Sequence, residues 1–183
     1  MSLVKFLLSF SVIIGVSTVS FADEPLKRVI EDVPPVTNLY HVSAAKTPSG
    51  FAVPRYVSLK VGFVNGRTGP SLGHPIAWQY KRKGLPLIIV AETDMWRKVR
   101  DIKGDESWIH KPAISGERFV ITLENTSLHT KPSETAKVTA IAHQGALLNL
   151  IECNEQQWCR LESEDGLKGW SSRHKLWGAK ELY

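Results

Sequence analysis

The sequence predicts an all-β protein made of two copies of one small barrel or sandwich. Two observations predict it. First, Trp96 and Trp108 recur as Trp158 and Trp170 at one shift of 62 residues, which also carries Pro70-Ser71 onto Pro132-Ser133 and Gly104 onto Gly166. An ungapped offset running from about Val57/Phe119 to His110/Ser172 marks an internal repeat, and a repeat decides architecture before local propensity does. Second, both copies consist of short β-rich runs between frequent Gly and Pro turns, without a sustained amphipathic helical period.

The first segment is set apart from the fold. Lys5 precedes the apolar run Phe6 to Val16, and Ser20-Phe21-Ala22 places small residues where a signal peptidase reads. Residues 1–22 are therefore expected to be a cleaved secretory signal, with Asp23 as the mature N-terminus. A stable membrane anchor would need roughly 20 consecutive apolar residues, and Ser9, Ser11, Gly15, Ser17, Thr18 and Ser20 interrupt this run. The expected location is periplasmic or secreted. Residues 23–54 carry Pro25, Pro34, Pro35, Pro48 and Pro54 and read as a flexible linker, with room for a short helix around Leu26–Glu31.

The first repeat spans 55–116. Strands are expected at Tyr56–Leu59, Phe63-Val64, Ile76–Tyr80, Leu87–Val90, Trp96–Arg100 and Ser107–Ile109. Gly66 to Pro75 forms a long turn-rich connection, and Ala91–Met95 a hairpin loop. The second repeat spans 117–183, with strands at Phe119–Leu123, Lys137–Ala142, Leu147–Ile151, Trp158–Leu161 and Gly169–Ser171, and it closes with Leu176-Trp177-Gly178. Two units of this size each lie near the lower limit for an independent core, so direct packing or a covalent staple would help.

Charge is unevenly divided. Residues 55–116 hold 11 Lys+Arg against 5 Asp+Glu, whereas residues 117–183 hold 8 against 9. Lys81-Arg82-Lys83 and Arg97-Lys98-Val99-Arg100 are the basic clusters. Such a surface attracts anionic partners or serves as a solvated face that keeps the protein soluble. Export makes nucleic acid a poor partner; cell-wall polymer, acidic lipid or an acidic protein fits better.

Each repeat resembles a bacterial SH3-like (SH3b) domain, as in exported tandem proteins of Gram-negative bacteria. In the first, the matching residues are Val64-Asn65-Gly66-Arg67 with Gly69-Pro70-Ser71, Trp78-Gln79-Tyr80, Gly84, Trp96-Arg97-Lys98-Val99, Gly104 and Ser107-Trp108-Ile109-His110. In the second they are Lys131-Pro132-Ser133, Glu152-Cys153, Trp158-Cys159-Arg160-Leu161, Gly169-Trp170 and Leu176-Trp177-Gly178. His129 stands where Arg67 stands. The resemblance implies a strongly bent five- to six-stranded barrel, of a kind that accompanies cell-wall enzymes and binds peptidoglycan or positions a catalytic domain. Besides the two repeats, the sequence offers only the signal and the linker.

Cys153 and Cys159 flank a hairpin whose tip is Asn154 to Gln157, and an oxidising compartment favours a disulfide between them. A nucleophilic thiol would need a positioned His base, and two cysteines at this spacing match no common zinc framework. Trp108, Trp158 and Trp170 recur and are expected to be framework residues, because large rings fill small barrel cores. Trp78 and Tyr80 stand where the second repeat has Ala140 and Ala142. With Arg67, Lys81, Arg82 and Trp96 they form the candidate ligand-binding face, since rings stack on sugars or peptides and cations pair with carboxylates. The alternative is that Trp78 or Tyr80 packs between the repeats. Asn65 suits a turn cap; Arg67 suits a carboxylate across its loop or a partner.

No Gly-x-Ser-x-Gly, His-Glu-x-x-His or Walker-type loop is present, and Glu162, Glu164 and Asp165 read as a solvated turn. No catalytic residue, cofactor or metal ligand is expected. The expected function is that of an exported, non-catalytic module binding peptidoglycan through the first repeat. The alternative is a protein–protein adaptor or regulator of a cell-wall hydrolase or envelope complex.

Overall fold

A computed structural model describes residues 39–180 and Leu182. The expected signal peptide, the start of the linker and the helix suggested at Leu26–Glu31 lie outside them. Among the described residues, fourteen strands form two seven-stranded antiparallel sheets of the same order. In the first repeat the strands are β1 (Arg55–Leu59), β2 (Val64–Arg67), β3 (Ile76–Tyr80), β4 (Pro86–Glu92), β5 (Trp96–Arg100), β6 (Glu106–His110) and β7 (Ile114–Ser115), arranged β3-β2-β6-β5-β4-β1-β7. In the second they are β8 (Phe119–Thr122), β9 (Thr126–His129), β10 (Val138–Ala142), β11 (Leu147–Cys153), β12 (Trp158–Glu162), β13 (Lys168–Ser172) and β14 (Leu176–Trp177), arranged β10-β9-β13-β12-β11-β8-β14. A short 3-10 turn precedes each closing strand, at Lys111–Ala113 and at Arg173–Lys175.

The all-β tandem architecture is as expected, with additions. Strand β9 and the two-residue closing strands β7 and β14 were not anticipated, because each is too short to show an alternating pattern. The single shift of 62 carries β2, β3, β5, β6 and β7 onto their counterparts. It slips elsewhere: Val57, paired with Leu87, corresponds to Val120, paired with Leu148. The connection before β2 and the one before β4 are each one residue longer in the first repeat, and the β4–β5 loop is one residue shorter.

Strand alternation decides which residues enter each core. Val57, Leu59, Val64, Tyr80, Leu87, Ile89, Val99 and Ile109 fill the first, and Val120, Leu128, Ala142, Leu148, Cys159, Leu161 and Leu176 fill the second. None of the four recurring tryptophans belongs to either core. Val99 and Ile109 point inward, so Trp96 and Trp108, an odd number of residues away, point outward. The expectation that these rings fill the barrels is therefore corrected. Trp108, Trp158 and Trp170 are half-buried on the outer face of their sheets, beside long cross-strand neighbours: Trp108 is paired with Arg67 and Lys98, and Trp170 with His129 and Arg160.

The folded region begins before Arg55. Val42 and Val53 pair as a β-bridge, Val53 is buried in the first core, and Ser49 is bonded to Glu92. The later part of the expected linker is thus a layer of the first barrel.

The barrels pack directly on each other. Tyr56 and Ile88 from the first meet Ile121 and Trp177 from the second in a shared buried cluster. The Trp177 ring stands edge-on to Tyr56 with centroids 5.5 Å apart. Gly84 and Gly178 both adopt positive φ at this seam, and a Cβ on Gly178 would lie 2.9 Å from the Phe119 carbonyl oxygen. Burial pushes the Tyr56 hydroxyl up to about 12, even though the Arg118 guanidinium over its ring works against the shift.

Cys153 and Cys159 are register partners across β11 and β12, and they form a disulfide with Cα atoms 4.0 Å apart. The position is informative once the slip in the repeat is taken into account. The counterpart pair in the first barrel is Glu92–Arg97, register partners across β4 and β5. A covalent staple and an ion pair thus hold the same hairpin mouth in the two copies. Replacing both cysteines by alanine is expected to lower unfolding stability by ~2 kcal/mol, read as a shift in the urea midpoint. No shift would mean that the staple is redundant with the packing around Cys159.

Candidate ligand-binding surface

The predicted face does not assemble as one patch. Trp78 pairs with Gly66, on whose inward side Ser107 and Tyr80 crowd, whereas Trp96 pairs with His110 on the outer side. Trp78 and Trp96 therefore lie on opposite faces of the sheet. Trp96 is buried and packs its ring against His110, with centroids 5.1 Å apart.

Tyr80 is 3% exposed, inside the first core, with its hydroxyl 3.0 Å from Ser107 Oγ. It belongs neither to an open binding face nor to the seam between the repeats. A Cβ on Gly66 would stand 2.2 Å from Ser107 Oγ and 3.2 Å from the Tyr80 ring. The second barrel inverts this arrangement. Leu128 stands at the position of Gly66, Gly169 at that of Ser107 and Ala142 at that of Tyr80, and a Cβ on Gly169 would meet Leu128 Cβ at 2.6 Å. The same volume is filled from β3 in one copy and from β9 in the other. The difference between Tyr80 and Ala142 is a packing solution.

Arg67 staples its own loop. Its Nη1 donates to the His74 carbonyl oxygen at 2.6 Å. His129 does the same in the second barrel, its Nδ1 donating to the carbonyl oxygen of Ala136, the counterpart of His74, at 2.9 Å. Arg67 and His129 are thus equivalent in role. The His74 ring also covers Gly69 and is 2.7 Å from Ser71 Oγ. Asn65 lies within β2, where Gln79 Nε2 donates to its side-chain oxygen, so it caps no turn.

Lys81 and Arg82 are exposed, but they face the second barrel. With Lys83 they form one wall of a cleft of about 550 Å³, opposite Glu162, Ser163 and Glu164, and Trp78 does not line it. Arg82 Nη1 donates to the Gly145 carbonyl oxygen of the second barrel at 3.4 Å.

Of the candidate residues, Trp78 is the aromatic ring left open to solvent, at 43% exposure. Ile76, on the same face of β3, is 47% exposed, and Leu72 in the preceding loop is 75% exposed. Their counterparts in the second repeat are Ala140, Val138 and Glu134. Val138 is itself 44% exposed, so what sets the first barrel's hairpin apart is the Trp78 ring and Leu72, where the second has Ala140 and Glu134. An exposed apolar surface of this kind can mark an interaction site. Strand β3 is also the sheet's edge, opposite the closing strand β7.

The family model described as bacterial SH3 domain matches the chain twice, over residues 60–116 and 124–178. The chain belongs to the bacterial SH3 domain family. Its matched segments hold β2–β7 and β9–β14, and leave β1 and β8 just outside. Two solved structures are similar to this bacterial SH3 protein over much of its length: NlpC2 and NlpC1 from Trichomonas vaginalis, each 14% identical, with TM-scores of 0.32 and 0.33. They cover 68% and 72% of this chain, which spans about half of theirs, 48% in each case. No curated protein matches it.

Two further features escaped the sequence reading. Glu92 sits in a buried network, accepting hydrogen bonds from Arg55 Nη2 at 2.6 Å and the Ser49 amide at 2.9 Å, with Arg97 Nε 3.2 Å away. On the outer face, the Arg100–Glu106 ion pair at 2.6 Å is replaced in the second barrel by Glu162–Lys168 at 3.3 Å, the same cross-strand pair with its charges exchanged. Among the described residues, no group of three or more His, Cys, Asp or Glu is placed to hold a metal ion.

Proposed function

We propose that this protein is an exported, non-catalytic binding module of the cell envelope that contacts peptidoglycan through the β2–β3 hairpin of its first barrel. The exposed Trp78 ring, with Leu72 beside its strand, carries this reading, because the fold does not require it: the second barrel builds the same hairpin with Ala140 and Glu134 in their places. Membership of the bacterial SH3 family supports an envelope role, and the expected signal at residues 1–22 supports export. Aromatic rings suit the apolar faces of sugars and the peptide segments of cell-wall polymer. Purified sacculi are expected to co-sediment with the mature protein well above a cellulose control. Recovery equal to the control would reject the reading.

A second reading is favoured by the exposed edge of β3. An unpaired strand beside an apolar ring can accept an extended segment of a protein partner by strand addition. In that case crosslinking in cells would trap one reproducible envelope protein through position 76 or 78, and sacculi would not retain the purified chain.

A further inference from the structure

A second cleft opens on the seam between the barrels, lined by Arg55, Tyr56, Arg118, Glu152, Arg173 and Lys180, with a volume of about 470 Å³. Four of these six side chains are cations and one is an anion. Glu152 is half-exposed and faces Arg160 at 3.6 Å. Arg55 is neutralised by Glu92.

Arg118 is different. Its guanidinium lies over the Tyr56 ring at 5.5 Å, and its Nη2 donates to the Gly178 carbonyl oxygen. Its Nε is buried without a hydrogen-bond partner. Among the described residues no carboxylate lies within ion-pair distance of it. Burial, with the charge of Arg173 adding to it, holds the Arg118 guanidinium below its ordinary value, and Tyr56 counteracts this. A partly buried cation lacking an acid is costly unless something anionic completes it. Leu150 and Ile151 supply an apolar wall beside it. A planar guanidinium next to a second basic group and an apolar shelf matches a carboxylate attached to a small apolar residue.

We propose that the seam cleft around Arg118 and Lys180 binds the carboxylate of a peptide ligand. The site is separate from the Trp78 surface, so loss of sacculus binding would leave it standing. The test titrates the mature chain, observed by amide NMR, with three probes: N-acetyl-Ala-Ala with a free C-terminus, N-acetyl-Ala-Glu amide and N-acetyl-Ala-Gln amide. The carboxylate peptides are expected to shift amides around Arg118, Ile151 and Lys180 and to bind at least tenfold more tightly than the Gln peptide. Tighter binding of the first probe assigns the site to a C-terminal carboxylate; tighter binding of the second assigns it to an acidic side chain. R118Q should weaken the preferred probe at least tenfold. Lys180 is exposed, so K180Q is expected to leave the melting temperature unchanged and to weaken binding of the preferred probe severalfold. Equal affinity for charged and neutral peptides, no binding of any probe, or indifference to both variants would overturn the proposal.

Discussion

Replacing Tyr80 by alanine is expected to destabilise the first barrel by ~3–5 kcal/mol, the range for deleting a large buried aromatic ring. The ring is 3% exposed and occupies the space that Gly66 leaves open. The second barrel tolerates alanine there because Leu128 fills the volume from β9. The Y80F variant keeps the ring and loses one hydrogen bond to Ser107, for a cost of about 1 kcal/mol. Introducing the second barrel's solution through G66L and S107G should recover much of the loss caused by Y80A. Urea denaturation of the four proteins checks the series. A loss below ~1 kcal/mol for Y80A would contradict the packing account. Burial also pushes the Tyr80 hydroxyl up to about 12 from an ordinary value of 10.0. The folded state therefore holds this proton more tightly than the unfolded chain. Its contribution is complete below pH 10 and is lost as pH rises toward 12.

The E92A variant is expected to cost a similar ~3–5 kcal/mol, because removing one partner strands buried opposite charge. The Glu92 and Arg97 side chains are only 2% and 3% exposed, and Arg55 and Ser49 bind the same carboxylate. Burial alone would raise the Glu92 pKa, but the hydrogen bonds from Ser49 and Arg55 outweigh it and hold the carboxyl below its ordinary value. The sign follows: the contribution is present above the unfolded value of 4.5 and disappears as pH falls through the lower folded value. Wild-type stability should therefore decline on acidification below about pH 4.5 more steeply than that of E92A. Parallel pH profiles would show that the network contributes nothing of its own.

The tandem β architecture was legible because turns and tryptophans recur at one spacing. The equivalence of Glu92–Arg97 with Cys153–Cys159 was not, because an ungapped shift of 62 places Cys153 opposite Ala91. One-residue differences in loop length are invisible until hydrogen-bond register shows them. The outward direction of the tryptophans could have been read, since Val99 and Ile109 are the obvious inward residues and alternation then sets Trp96 and Trp108 outside. Tyr80 is a harder case. It shares a strand face with Trp78, and only the curvature of the barrel buries one ring and leaves the other at the rim. The staple made by Arg67 depends on a loop carbonyl seven residues away, which no local pattern discloses. The two seam clefts arise from the docking of the barrels, which neither repeat encodes alone.

The functional reading rests on Trp78 being a recognition residue. Its most direct test is the affinity of the mature protein for purified sacculi, measured by sedimentation for wild type and W78A, with thermal melting of both as a control. The expected result is at least tenfold weaker binding by W78A with an unchanged melting temperature. Equal affinity of the two proteins would contradict the assignment of the β2–β3 hairpin as the binding surface.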